Sequence, residues 1–170
     1  MDIREPRPKL LLHACCGVCS SYVPELLIPD YDVTIYYENS NIWPSDEFKR
    51  RSKAARTMAA SFDIPFIEVT QDHVAWFRDV RGRAADEEKG RRCLICMEHR
   101  MRKAFAYARD NGFDIVTTTM SVSRNKIVDT IHDIGRTLSE EYGIPYLERD
   151  FKKRGGEDES QRRAKTCLLY

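Results

Sequence analysis

The sequence predicts an α/β domain with a mainly parallel sheet and flanking helices. Apolar runs of strand length alternate with segments whose apolar residues recur at helical spacing. These runs are almost unbroken, which is typical of strands covered on both faces of a parallel sheet. Glycines follow two of the helical segments, where a left-handed residue ends many helices. Because binding sites gather beyond the carboxyl ends of such strands, we expect the functional residues there.

Four strands and a short fifth are predicted in chain order. They cover residues 9–14, 32–37, 65–69, 114–119 and 145–147. A helix with Pro44 in its first turn presents an apolar face that runs from Phe48 to Phe62. Further helical spacing is found over residues 97–108 and 127–138, which Gly112 and Gly143 follow. The segments after the first and fourth strands should therefore meet at one sheet edge.

Length and composition limit the class of protein. The chain has 170 residues, 28 lysines and arginines, 27 acids and a 42% hydrophobic fraction, which argues against disorder. We expect one catalytic domain over residues 1–154 and a tail over 155–170 that packs near the site. No apolar run approaches the roughly 20 residues that span a membrane, and we see no signal peptide. We therefore expect a cytoplasmic protein.

Two cysteine clusters are the strongest motif. One is Cys15-Cys16-Gly17-Val18-Cys19 and the other is Cys93-Leu94-Ile95-Cys96. A two-residue spacer lets two thiolates turn towards one metal, which leaves open a structural zinc, an iron–sulfur cluster or a redox dithiol. Cys19 is a buried residue, an exchanging thiol or a ligand of a second metal. Cys167 either reaches the site on a mobile tail or has no role.

Basic segments surround these motifs. Residues 49–56 and 89–103 are rich in lysine and arginine, which suits a phosphate-bearing substrate such as RNA but is equally typical of solvated helix faces. Ser121 or Ser123 is expected to cap the next helix. A flipped base would contact Tyr37, Asn39 and Ser121, which follow the predicted strands. Phosphates would contact Arg124 and Lys126 in the loop after the fourth strand.

The histidines are scattered along the predicted elements. We expect His13 to be a hydrogen-bonded strand residue rather than a metal ligand. His99 and His132 are expected on helix surfaces.

Together these stretches resemble the QueH-type epoxyqueuosine reductases. The resemblance covers residues 9–154 and rests on LLHACCGVCS, YYENSNIWPSDEFKRR, RCLICMEHRM, DIVTTTMSVSRNK and ERDFKK. The family is similar in fold to the adenine-nucleotide α-hydrolase-like (HUP) domains. The resemblance implies reduction of epoxyqueuosine to queuosine at the wobble position of tRNA, so the partner would be an anticodon stem-loop.

The resemblance also implies cofactors. It implies a 4Fe-4S cluster on Cys15, Cys16, Cys93 and Cys96, and a second, mononuclear iron for which Cys19 and Asp150 are our candidates. Ferredoxin or flavodoxin is the expected electron donor. Family members carry a Tyr-Cys-Gly-Cys segment in a longer tail, whereas this sequence offers only Cys167 as a redox thiol. The alternative is a zinc-stapled tRNA-binding module without redox activity.

Overall fold

A four-stranded parallel sheet forms the centre of the computed structural model, which describes residues 6–167. The strands are β1 (Lys9–His13), β2 (Asp32–Tyr37), β3 (Phe66–Glu68) and β4 (Ile115–Thr118), in the order β3-β2-β1-β4. All pairings are parallel, as the apolar runs predicted. Residues 145–147 contribute one isolated bridge, between Tyr146 and Val116, instead of the expected fifth strand.

Helices connect and cover the strands. They are α1 (Val23–Leu27), α2 (Ser45–Ser61), α3 (His73–Asp79), α4 (Arg91–Asp110), α5 (Val128–Tyr142) and α6 (Gly156–Thr166). The helices predicted from apolar spacing are confirmed as α2, α4 and α5. Pro44 is the N-cap of α2 rather than a residue of its first turn. Gly143 ends α5 at φ 68°, as predicted.

The core lies on both faces of the sheet. Along β1, Leu10 and Leu12 pack into a cluster that α1 and α2 cover, whereas Leu11 packs into a cluster with α4 and α5. This alternation follows from the two-residue period of a strand. In these three layers, the residues after β1 lie at the carboxyl-terminal edge of the sheet, where the chain leaves the core.

Strand order reverses beside β1. The chain passes from β1 to β2 and β3 on one side and later returns as β4 on the other. Ligands of open α/β sheets bind at such a switch point. There the Cys15 backbone N–H donates to Thr119 Oγ1 at 3.1 Å, so the two segments meet as predicted. In the part of the chain described, no helix is long and apolar enough to cross a membrane.

Helix α6 packs against the segment after the first cysteine cluster. Ser21 Oγ donates to the Ser160 carbonyl at 3.0 Å, and Arg163 forms an ion pair with Glu25 at 2.6 Å. Ala164 packs near α2. Most of the segment predicted as a tail over 155–170 is therefore helical, while its last three residues lie outside the described part.

Candidate metal centre

Three thiols come together in the loop after β1. The Sγ atoms of Cys15, Cys16 and Cys19 all lie within 4.8 Å of one another, and each cysteine is free. A turn closed by the Ser20 N–H on the Cys16 carbonyl, at 3.2 Å, brings Cys19 back beside Cys16. This set can hold a metal ion. It contains Cys19, which the sequence alone left without a definite role.

Gly17 allows this loop to pack against α2. A Cβ atom at Gly17 would lie 2.8 Å from Ala54 Cβ and 3.1 Å from the Ala54 carbonyl carbon. Contacts this short force neighbouring atoms to shift. The absence of a side chain at Gly17 therefore allows the cysteine loop to lie close to α2.

The three thiols differ in pKa. Hydrogen bonds from the Cys16 and Cys19 thiols, with smaller contributions from Thr119 and the charge of Arg100, hold the pKa of Cys15 well below its usual range. The hydrogen bond to Cys15 raises the pKa of Cys16 to about 12, and the Cys19 pKa is raised by the same partner. One thiolate, at Cys15, is thus stabilised by two protonated neighbours. A metal cation that displaces those protons would bind all three sulfurs.

Cys93 and Cys96 lie in the first turns of α4 and do not belong to the close group of three. Trp76 Nε1 donates to Cys96 Sγ at 3.4 Å. Both cysteines line a cavity of about 260 Å³ together with Asn41 and Lys126. Lys126 therefore lies beside the second cysteine pair.

Arg100 connects the two cysteine groups. Its Nε donates to the Cys96 carbonyl and its Nη1 to Asn39 Oδ1, both at 3.3 Å. Asn39 Nδ2 in turn donates at 2.8 Å to the carbonyl of Ala14, the residue before Cys15. The sequence offered Arg100 only as one member of a basic stretch. A periodicity test would have found it, because it lies one turn after Cys96 on the buried side of α4.

The charge of Arg100 has no carboxylate partner. The side chain is 4% exposed, and among residues 6–167 no acid forms an ion pair with it. The nearby buried carboxylate of Glu38 pairs with Lys103 at 3.2 Å instead. A buried, unpaired charge costs several kcal/mol unless an anion balances it. Thiolates or an anionic metal centre between the cysteine groups would supply that balance.

Two buried polar atoms near the cysteines also lack a partner in the described part of the chain. They are the Tyr37 hydroxyl and Asn41 Oδ1. Burial, with a smaller contribution from the nearby Cys16 and Cys15 sulfurs, raises the pKa of the Tyr37 phenol. Asn41 lines the cavity of the second cysteine pair. Together with the thiols and Arg100, the Tyr37 hydroxyl fits an anionic metal–sulfur group whose sulfurs accept hydrogen bonds. Asn41 Oδ1 is itself an acceptor, so it would need a donor or a cation instead.

His13 is a core residue, as predicted. Its ring nitrogens lie 3.0 Å from Thr118 Oγ1 and 2.9 Å from the Glu38 carbonyl. Burial, reinforced by the charge of Arg100, lowers the pKa of His13 to about 4. The ring is therefore neutral and engaged at both nitrogens.

Three of the predicted substrate-binding side chains are buried. Tyr37, Asn39 and Ser121 are at most 1% exposed. Ser121 Oγ donates to the Arg149 carbonyl at 3.0 Å and so does not cap α5, whose N-cap is Ile127 without a side-chain cap. These residues support the walls of the site and do not present a surface to a base.

The remaining candidates lie apart from the thiol group. Arg124 is exposed and pairs with two acids at the start of α6, at 2.8 and 2.6 Å. Asp150 lines a cavity of about 630 Å³ with His132 and Glu148, and no cysteine lines it. His132 is 6% exposed, so its expected surface position was wrong, and the His99 side chain is 7% exposed. Cys167 is exposed at the end of α6.

The family model described as epoxyqueuosine reductase QueH matches residues 10–170 of the chain. A protein of that name from Streptococcus pyogenes serotype M1 is 35% identical over 96% of this chain and 66% of its own length. Its counterpart from Histophilus somni is 37% identical over 92% of this chain and 65% of its own length. The chain therefore spans about two thirds of the length of these relatives. A third, from Thermotoga maritima, is 27% identical over 95% of this chain and 84% of its own length.

Two solved structures share the fold at low sequence identity. A predicted subunit of a tRNA methyltransferase from Methanocaldococcus jannaschii has a TM-score of 0.59 and 12% identity, over 90% of this chain and 76% of that one. The U34-tRNA thiolase NcsA from Methanococcus maripaludis, solved with its 4Fe-4S cluster, has a TM-score of 0.51 and 16% identity, over 96% and 58% of the two chains. These likenesses confirm the HUP-like α/β fold.

Proposed function

Because the chain belongs to the epoxyqueuosine reductase QueH family, we propose that it reduces epoxyqueuosine to queuosine in tRNA. The reaction removes the epoxide oxygen as water and leaves a carbon–carbon double bond. It consumes two electrons and two protons. Ordinary side chains do not supply two electrons repeatedly, so the proposal requires a redox-active metal centre and an external donor.

One observation carries the proposal of that centre: Arg100 is buried without a carboxylate partner between the two cysteine groups. We propose that Cys15, Cys16, Cys93 and Cys96 ligate a 4Fe-4S cluster, the all-cysteine ligation common for such clusters. We assign Cys19, which lies against the first pair, to a second iron. Asp150 is not included, because its cavity contains no cysteine.

The group bound here would supply electrons one at a time and a Lewis acid for the C–O bond. The chain itself supplies charge and protons around it. We propose that Arg100 balances the negative charge of the thiolates from the buried side. Lys126, an ammonium donor in the cavity of Cys93 and Cys96, would give a proton to the departing oxygen. Arg124 would contact tRNA phosphate after release from its two acids.

The partners follow from the reaction. We propose an anticodon stem-loop as substrate, and ferredoxin or flavodoxin as electron donor. Cys167, exposed at the end of α6, would act together with a second thiol: their disulfide would form with release of two electrons and two protons, and the donor would then reduce it. Because the proposed substrate is tRNA, we also propose a cytoplasmic location.

The test is conversion of epoxyqueuosine in purified tRNA by the anaerobically purified protein with dithionite. Nucleosides released by digestion are analysed by mass spectrometry, and iron, sulfide and zinc are measured in the same preparation. The proposal expects iron-loaded protein that forms queuosine, and a Cys96→Ser variant that forms none. Colourless, zinc-loaded protein that binds tRNA without conversion would overturn it in favour of a zinc-stapled binding module.

A further inference from the structure

Three aromatic rings form a column beside the second cysteine pair. The rings of Trp43 and His73 stack with centroids 4.9 Å apart and planes at 24°, and those of His73 and Trp76 stack at 5.4 Å and 26°. Phe77 closes the side of the column by edge contacts with His73 and Trp76. Trp76 ends the column inside the protein, where its Nε1 reaches Cys96 Sγ.

The other end of the column faces solvent. Trp43 is 66% exposed and Phe77 is 58% exposed, which is unusual for such large apolar side chains. A fourth planar group can therefore stack on Trp43. Stacking on an aromatic face suits any nucleobase, because every base has a π-face.

The column is held rigidly. His73 Nδ1 donates to the Ser40 carbonyl at 2.7 Å, and the Asp72 N–H donates to Ser40 Oγ at 3.0 Å. Gln71 Nε2 donates to the Ile42 carbonyl, next to Trp43 in the chain. These bonds fix the start of α3 to the loop after β2, so little conformational entropy is lost when a ring stacks on the column.

Arginines surround the open cavity beside the column. The cavity, of about 740 Å³, is lined by His73 and Phe77 of the aromatic group and by Arg78, Arg81 and Arg92, with no acid among its lining residues. In the described chain, neither Arg78 nor Arg81 takes part in an ion pair. Arg92 also lines the cavity of Cys93 and Cys96. Cationic groups at the edge of an aromatic face match the phosphates and bases of a single strand.

We propose that this aromatic–arginine surface binds the unpaired nucleotides that flank the modified base, with one base stacked on Trp43 and phosphates on Arg78 and Arg81. The inference rests on the proposed function for the identity of the RNA. The surface would hold the anticodon loop open and direct the modified base towards the cysteines. The metal site by itself does not provide this role. Trp76 joins the two parts, because it belongs to the column and contacts Cys96.

Intrinsic fluorescence tests the stacking directly. Trp43 and Trp76 are the two tryptophans of the chain, and both belong to the column. Titration of the protein with an unmodified anticodon stem-loop RNA should quench this fluorescence. A Trp43→Ala substitution should remove most of the quenching and weaken binding about 5- to 150-fold, the usual effect of removing one stacking partner. A Trp43→Phe substitution should restore most of the affinity.

Salt dependence separates the arginines from the column. On a single strand, each phosphate that a cationic side chain neutralises contributes about 0.7 to the steepness with which log affinity falls against log salt. Arg78→Ala should therefore reduce the slope by about that amount, whereas Trp43→Ala should leave it unchanged. Arg109 is an exposed arginine at the far end of α4, so Arg109→Ala is the matched control and should change neither the slope nor the affinity.

The outcomes distinguish this inference from the proposed function. Parent-like RNA affinity in Trp43→Ala would overturn the inference, even if the parent converts epoxyqueuosine. Quenching in the parent, together with lost quenching and weakened binding in Trp43→Ala, would support it, even if the parent forms no queuosine. If Trp43→Ala slows turnover only with a protein electron donor and leaves RNA affinity unchanged, the surface docks the donor and the inference is wrong.

Discussion

Replacing Arg100 by glutamine removes the buried positive charge and keeps hydrogen-bond donors for Asn39 and the Cys96 carbonyl. At separations of about 5–8 Å and an effective dielectric constant of about 20, one charge pair contributes about 2–3 kcal/mol. One-electron reduction of a bound centre adds a unit of negative charge. The substitution should therefore lower the midpoint potential by roughly 100 mV, since a tenfold change in equilibrium corresponds to about 59 mV for one electron.

The same substitution should stabilise the metal-free protein against unfolding. In the metal-free protein the Cys15 thiolate offsets only part of the buried guanidinium charge, so Arg100→Gln should raise the free energy of unfolding by about 1–3 kcal/mol. The assays are anaerobic redox titration, iron content and denaturant unfolding of both forms. Arg102→Gln is the control, because Arg102 lies on the exposed side of α4 and pairs with Glu98 and Glu141. An unchanged potential together with a destabilised metal-free protein would show that Arg100 only tethers α4 to the loop.

Four further substitutions test the site. Cys15→Ser should lose both iron and turnover, whereas Cys167→Ala should keep its iron. Full iron content in Cys15→Ser would show that Cys15 is not a ligand. Gly17→Ala should lower the free energy of unfolding by about 1–3 kcal/mol through overlap with Ala54, and an unchanged melting temperature would contradict the close packing. The pKa of His13 is lowered from 6.5 to about 4, so its contribution to stability is complete above pH 6.5 and is lost as the pH falls towards 4, by about 3 kcal/mol in total. Unfolding of His13→Gln should lack this pH dependence, and a parent-like slope would refute the assignment.

Elements with strong apolar patterns could be predicted from the sequence. Helices α2, α4 and α5 bury regular stripes, and the central strands are continuous apolar runs. Helix α6 was missed because its sequence, GEDESQRRAKT, is almost entirely polar and packs through few apolar residues such as Ala164. The strand at 145–147 was overpredicted, since only Tyr146 pairs with β4.

The candidate site was predictable in its chemistry more than in its surroundings. Cysteine spacing indicated a metal, and the parallel sheet predicted where Cys15 and Thr119 would meet. Arg100 was missed because it was interpreted as part of the basic stretch 89–103, although it falls at the helical spacing of the buried face of α4. Tyr37 was assigned to substrate because it ends a strand, yet its ring packs inside the core. Its ring contacts Phe48 of α2 and Phe66 of β3, and the local pattern around residue 37 shows neither contact.

Anomalous diffraction at the iron edge from anaerobic crystals of the metal-loaded protein is the most direct test of the metal centre. We predict iron bound to the sulfurs of Cys15, Cys16, Cys93 and Cys96, with the guanidinium of Arg100 on the buried side of the cluster. Iron bound only to the three thiols of the first loop, with the second pair unligated, would contradict this account.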